Sequence, residues 1–418
     1  MSCTSQAGPS RQLVLDDCRE LHRKQLLTSA QLQDQVRAFY QHELDSIIAE
    51  IREQHNQKQQ DTFVTSDFVA LATGGVMGAL NAWMRPAAPT STPAPAPTPA
   101  RTATSLWASA FDAAQASLNV VRKRRLLEHL QIKHLSGDES VCEHIVLCIN
   151  GFMTQGSDPS RNWSAWFGEN VVVYAVLWEA GDVDAWNDFC AHVNDQLSIS
   201  GVGAATSALI THFTGNPWHK AQDQAEQVGA LLAQVLASEP TFCRGRKVTL
   251  FGHSLGGAVI YSVFQEIARL RKASQQQESN QQQRQPPDTS RLPVIRVAPE
   301  PLITNAVCFA GAFIPTAEGL ENIAMELAPT GKFLNVFSTR DGVLSKLFWA
   351  MQLHAGDPIA AGCASVKFPT KCLRNCANVD VTQVVPPRIT NQFGHGYGMH
   401  MEDIIAKVRP HLSSIYSN

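Results

Sequence analysis

Gly252-His253-Ser254-Leu255-Gly256 constrains the fold of this chain more than any other stretch. It lies between the apolar run 248–251 and a helix-like segment, 257–270. A Gly-x-Ser-x-Gly at a strand-to-helix junction predicts a sharp turn that presents the serine hydroxyl at the end of a buried sheet. Glycine flanks suit such a turn, because a side chain there would strike the neighbouring backbone. Ser254 would then sit at a helix N-terminus, where unpaired amides and the helix dipole favour a developing negative charge. The Leu255 N–H is the expected first half of an oxyanion hole.

The rest of the chain supplies a sheet for that turn. Residues 145–149, 171–177, 248–251, 306–310 and 333–337 are short apolar runs, and helical patterns at 217–238 and 257–270 alternate with them. Asn216 and Pro217 suit the N-cap and first turn of the earlier helix. Buried strands alternating with helices predict an α/β fold with a mainly parallel sheet flanked by helices. With the serine turn added, the expected architecture is an α/β-hydrolase fold. Ahead of it, Leu32, Val36, Tyr40, Leu44, Ile47 and Ile51 repeat at helical spacing, giving an amphipathic helix. That helix could pack on the sheet, pair with another helix or lie on a protein partner. The expected division is an N-terminal helical region, 1–85, a Pro/Ala-rich linker, 86–101, and an α/β-hydrolase domain, 102–418. The Gln-rich stretch 271–293 reads as a disordered surface insertion.

A serine hydroxyl needs a base, and the base needs a carboxylate to orient it. In this fold the order along the chain is serine, acid, histidine. Asp341 follows the run 333–337 after a short turn and fits the acid. Asp380 looks like a strand residue and Asp357 like a turn before Pro358. His395, in Gly394-His395-Gly396-Tyr397-Gly398, fits the base. His400 heads a helix-like segment, and His354 is a further candidate. The second oxyanion donor is expected from Asn150-Gly151-Phe152-Met153, with the Phe152 N–H preferred and Met153 as fallback.

Composition narrows the function further. A net charge of -3 over 418 residues gives no basis for nucleic-acid binding. The ten cysteines are scattered and suit buried thiols in a reducing compartment. Cys363, Cys372 and Cys376 cluster without metal-ligand spacing. The first residues lack the pattern of a secretory signal. The stretches 68–84 and 197–214 are rich in small residues, and both are read as packed helices in preference to membrane segments. The basic run 121–125 reads as a solvated face or a contact for anionic lipid headgroups. The expected location is intracellular: cytoplasmic, at or near an organelle membrane surface.

Taken in order, several of these residues resemble the transmembrane and coiled-coil domain-containing protein four family. The resemblance rests on Asn150-Gly151-Phe152, Leu177-Trp178-Glu179, Asn216-Pro217-Trp218, the turn at Ser254, Asn335-Val336-Phe337-Ser338 with Asp341, and Asn378-Val379-Asp380 ahead of Gly394-His395. It implies an α/β-hydrolase with membrane-associated segments and the triad Ser254, Asp341 and His395. Trp178, Glu179 and Trp218 are read as packing residues. The expected activity is lipase-like hydrolysis of a carboxylic ester, with a lipid as the substrate and with no metal or organic cofactor. The rivals are a non-catalytic membrane scaffold, working through the N-terminal helix, and an acyltransferase.

Overall fold

The computed structural model describes residues 20, 28–61, 103–140, 142–166, 170–188, 191, 216–281, 300–348, 359–387, 391 and 394–412. The expected linker and the small-residue stretch 68–84 lie outside the described residues, as does 197–214. The described elements begin with helices α1 (Ser29–Asp61) and α2 (Ala103–Arg125) and strands β1 (Leu130–Ser136), β2 (His144–Ile149) and β3 (Val171–Trp178). Helix α3 (Pro217–Ala237), strand β4 (Lys247–His253) and helix α4 (Leu255–Gln281) follow. The chain continues with β5 (Asn305–Phe309), α5 (Ala317–Glu326), β6 (Phe333–Phe337), β7 (Cys376–Asp380) and α6 (Met401–Val408).

The strands form one seven-stranded sheet in the order β1-β3-β2-β4-β5-β6-β7. All neighbours are parallel except β1 and β3, which run antiparallel. The fold is therefore α/β with a mixed, mainly parallel sheet. Ile145, Leu147, Cys148 and Ile149 of β2 are fully buried, as are Leu250 and Phe251 of β4. Burial on both faces is what continuous apolar runs produce. Beside β4, Trp166 lies 4.5 Å from the Phe251 ring, and Phe309 meets Phe251 edge-on at 5.7 Å. Each such ring contributes about 2 kcal/mol through burial, and together they fix the strand end that carries the serine.

Strand β1 had no counterpart in the expected elements. Leu130 and Ile132 are buried while Gln131 and Lys133 are exposed, so the strand alternates as an edge strand does. Helix α1 accompanies it: the Gln41 side chain donates to the Ile132 carbonyl at 3.1 Å, and Arg52 donates to the Glu128 carbonyl at 2.6 Å. The apolar stripe of α1 is buried at Leu32, Val36, Tyr40, Leu44, Ile48 and Ile51, with Ile48 taking the place expected for Ile47. On the same helix the buried Glu43 accepts from the Thr241 backbone N–H and hydroxyl. Of the three expected roles for this helix, packing beside the sheet is the one these contacts show.

The chain forms two compact units: residues 1–52, 128–180 and 225–418, and residues 53–127 and 181–224. The expected division was linear, whereas these units interleave, and the first part of α1 belongs with the sheet. Within the second unit, the Asn216 side chain accepts from the Trp218 N–H at 2.9 Å, as an N-cap does. The first part of the Gln-rich stretch departs from its expected disorder. Residues 271–281 continue helix α4 instead of starting a disordered insertion, while 282–299 lie outside the described residues. Gln, Lys and Ala are good helix formers, and Arg271 is tied to the buried Glu326 of α5 at 2.8 Å.

Candidate active site

Strand β4 ends at His253, and Ser254 turns the chain into α4 with φ +57. Its backbone is secured on both sides. The Ser254 N–H donates to the Phe309 carbonyl at 2.9 Å, and the Ser254 carbonyl accepts from Gly257 at 2.9 Å and Ala312 at 3.0 Å. The turn is tight enough that a Cβ on Gly256 would collide with the Ile149 carbonyl.

The loop after β2 closes against this turn. A Cβ on Gly151 would lie 2.5 Å from the Ser254 Cβ, 2.6 Å from the His253 carbonyl and 3.0 Å from the Leu255 nitrogen. Only glycine allows that approach. Phe152 follows directly, so both expected oxyanion residues, Phe152 and Leu255, flank the contact between Gly151 and Ser254. The fallback, the Met153 N–H, already donates to the Ala180 carbonyl at 3.0 Å.

Asn150 organises the loop. Its side-chain oxygen accepts from Trp163 Nε1 at 2.9 Å and Asn162 Nδ2 at 3.0 Å. Its amide donates to the Pro159 carbonyl, and its own carbonyl accepts from Trp178 Nε1 at 3.0 Å. Trp178 is thus a packing residue, as expected. So is Glu179, whose carboxylate receives the Glu128 and His129 N–H groups at 2.6 and 2.9 Å.

Asp341 and His395 meet. The Asp341 carboxylate is fully buried, and His395 Nδ1 lies 2.7 Å from its Oδ2. Its Oδ1 accepts from the Leu344 N–H at 3.0 Å, so both oxygens are held. The competing carboxylate Asp380 is turned to its own strand end, accepting from the Thr382 N–H at 2.8 Å. His400 stands at the N-cap of α6. Asp357 and His354 lie outside the described residues. Asn335 and Asn378, adjacent strand residues in the resemblance, bond to each other at 3.0 Å, and Asn378 pairs with the Val366 backbone. They brace the strands below the acid.

Burial is the largest influence on the titrating groups beside the Asp341 and His395 pair. Burial and then the neighbouring Asp341 push the Cys363 thiol up to about 12. His253 is held down to about 3, first by burial and then by the adjacent His395, so its ring is neutral. Among the described residues, no three His, Cys, Asp or Glu side chains gather as a metal site requires. A cavity of about 640 Å³ touches the outer side of the loop at Asn150 and Thr154, and its charges are of both signs, Asp45 against Arg52 and Lys133.

Two contributors stand out only in the structure. His253 lies between strand and nucleophile, and its bond to the His395 carbonyl spans residues far apart in the chain. Asn150 finds its partners twelve and thirteen residues along a loop with no periodic signal.

Among the described residues, no helix is long and apolar enough to cross a membrane. No solved structure matches the chain. A transmembrane and coiled-coil domain-containing protein of Oryza sativa subsp. japonica is 26% identical over 303 residues, 66% of this chain and 40% of the rice protein. An uncharacterized membrane protein of Schizosaccharomyces pombe is 25% identical over 260 residues, 58% of this chain and 29% of the yeast protein. The chain thus spans less than half the length of either relative, and neither description names a lipase or other hydrolase. A family model described as a protein of unknown function (DUF726) matches residues 202–276, the stretch that contains the Ser254 turn, so the resemblance extends to that family and to relatives described as membrane proteins.

Proposed function

We propose that this protein is a serine hydrolase of α/β-hydrolase fold that cleaves a carboxylic ester. The observation that carries the reading is the 2.7 Å bond between His395 Nδ1 and the buried Asp341, with the His395 carbonyl bonded at 3.1 Å to His253, the residue before Ser254. The strand order, with one antiparallel edge and the serine turn after a central strand, supports the same reading.

In the reaction, His395 Nε2 takes the Ser254 proton as Oγ attacks the ester carbonyl. The oxyanion is held by the Phe152 and Leu255 N–H groups, and Asp341 balances the imidazolium. The His395 proton passes to the departing alcohol, leaving an acyl-serine. Water, deprotonated by His395, then releases the acid. The chain's own residues supply each of these steps, so no metal or organic cofactor is invoked.

A lipid ester is the proposed substrate class. Met153 and Met399 are large apolar side chains that stand exposed on the loops carrying the oxyanion donor and the base. The relatives' descriptions as membrane proteins favour a membrane surface as the place of action.

Fluorophosphonate labelling tests the reading. Wild-type protein should label, and Ser254→Ala, Asp341→Asn and His395→Ala should not do so at a comparable rate. Absence of labelling in folded wild-type protein, with and without detergent, would refute it.

A further inference from the structure

We infer that His253, the residue before the proposed nucleophile, is a positioning residue that clamps the proposed base loop to the nucleophile strand. The inference deepens the hydrolase reading and rests on it for the roles of Ser254 and His395.

The His253 Nε2 lies 3.1 Å from the backbone carbonyl oxygen of His395. A carbonyl can only accept, so Nε2 carries the proton and donates. The same oxygen accepts from the Tyr397 N–H at 3.0 Å. Two donors on one oxygen fix the plane of the peptide that follows His395. The His253 ring also contacts the rings of His395 and Tyr397, with centroids at 5.0 and 5.6 Å.

Other contacts leave the base loop in need of that clamp. Gly394 has φ +64, and a Cβ there would lie 2.8 Å from the Arg340 carbonyl. Gly396 has its N–H on the Asn391 side chain at 2.9 Å. These fix the loop's flanks, whereas among the described residues the bond from His253 is the one that ties the His395 peptide to β4. Because His253 and Ser254 are consecutive, one strand end sets the position of both nucleophile and base. A tilt of the His395 ring would lengthen its bond to Asp341 and turn Nε2 away from the serine, which is the geometry the reaction depends on.

The test compares His253→Phe, His253→Met and His253→Gln with wild-type protein. Phe keeps a ring and removes the donor, Met removes both, and the Gln amide nitrogen reaches close to the position of Nε2. Two readouts are taken: the fluorophosphonate labelling rate, and the downfield proton resonance of His395 Nδ1–H, assigned by its loss in Asp341→Asn. Phe and Met should lose or broaden the resonance and label about tenfold more slowly, as expected for one hydrogen bond. Gln should keep the resonance and label within about threefold of wild type on the same scale. A folded Phe or Met variant with a sharp resonance and the wild-type rate would overturn the clamp, as would Gln behaving like Phe. A wild type that shows the resonance but never labels would refute the hydrolase reading, with the clamp still judged by the resonance in the variants.

Discussion

Gly151→Ala is the sharpest test of the oxyanion geometry. The added methyl would lie 2.5 Å from the Ser254 Cβ and 2.6 Å from the His253 carbonyl, about 0.9 Å inside the 3.4 Å where ordinary contact begins. Neither neighbour can move. The Ser254 backbone is held by Phe309, Gly257 and Ala312, and His253 belongs to a central strand. The loop must therefore shift by most of an ångström, carrying the Phe152 N–H with it. A misplacement of about 1 Å at a reacting centre costs on the order of 100-fold in rate, and losing an oxyanion donor costs a similar amount or more. The labelling rate of Gly151→Ala should thus fall about 100-fold. The Asn150 network to Asn162, Trp163 and Trp178 holds the loop from its other side, so the variant should still fold. The assay is the second-order rate of fluorophosphonate labelling, read beside a thermal melt. A folded Gly151→Ala protein that labels at the wild-type rate would refute the assignment of this loop as the oxyanion loop.

Three further outcomes follow from the same contacts. Arg271→Met should destabilise the protein by about 3 kcal/mol in urea unfolding, because it strands the buried Glu326 carboxylate; adding Glu326→Leu should recover most of the loss, and failure to recover it would discount the ion pair as the cause. His253 stays unprotonated down to about 3 in the folded protein against 6.5 in the unfolded chain, so its contribution to stability is full above pH 6.5 and is lost as the pH falls toward 3. The melting temperature of His253→Phe should accordingly fall less steeply than that of wild type across that window, and parallel slopes would contradict the buried neutral ring. Ser254→Gly should be more stable than Ser254→Ala by about 1 kcal/mol, since a residue at φ +57 gains by losing its Cβ; equal stabilities would mean that the turn carries no strain.

The parts of the fold legible in the sequence share a physical cause. Strands β2, β3, β4, β5 and β6 are buried on both faces, so their sequences are nearly continuous apolar runs. Strand β1 is not legible that way. Leu130-Gln131-Ile132-Lys133 alternates, and its pairing with β3 includes a register shift between His134 and Ser136. Strand β7 is as short as β5 and β6, but its Asn378 serves a bridge to the Val366 backbone and not an apolar face. Residues 271–281 misled for the opposite reason: low complexity suggested disorder, while helix propensity and the partner Glu326 favour a continued helix. That Asp341 and His395 meet follows an expectation built on chain order, the turn after the run 333–337 and the glycines around His395, whereas the contacts of Asn150 and His253 are ones that no spacing rule encodes.

The balance between a hydrolase and a scaffold turns on where the fold accepts unfavourable choices. Glycine at position 254 would relieve the positive φ, and an apolar residue at 341 would avoid burying a carboxylate. The chain instead places a serine in the strained turn and a carboxylate with no solvent exposure, then spends a hydrogen bond to Leu344 and another to His395 holding it. Gly151 is pressed against the same serine, and the following loop is locked by Asn150. These choices gather around the end of β4, where the proposed reaction would need a nucleophile, a base and two amides together. Each lowers stability or narrows the permitted sequence, and a surface used only for recruitment gains from none of them. That concentration of strain and buried charge is what favours the reaction over the scaffold, and it is why the Ser254→Gly and Gly151→Ala variants bear on function as well as on folding.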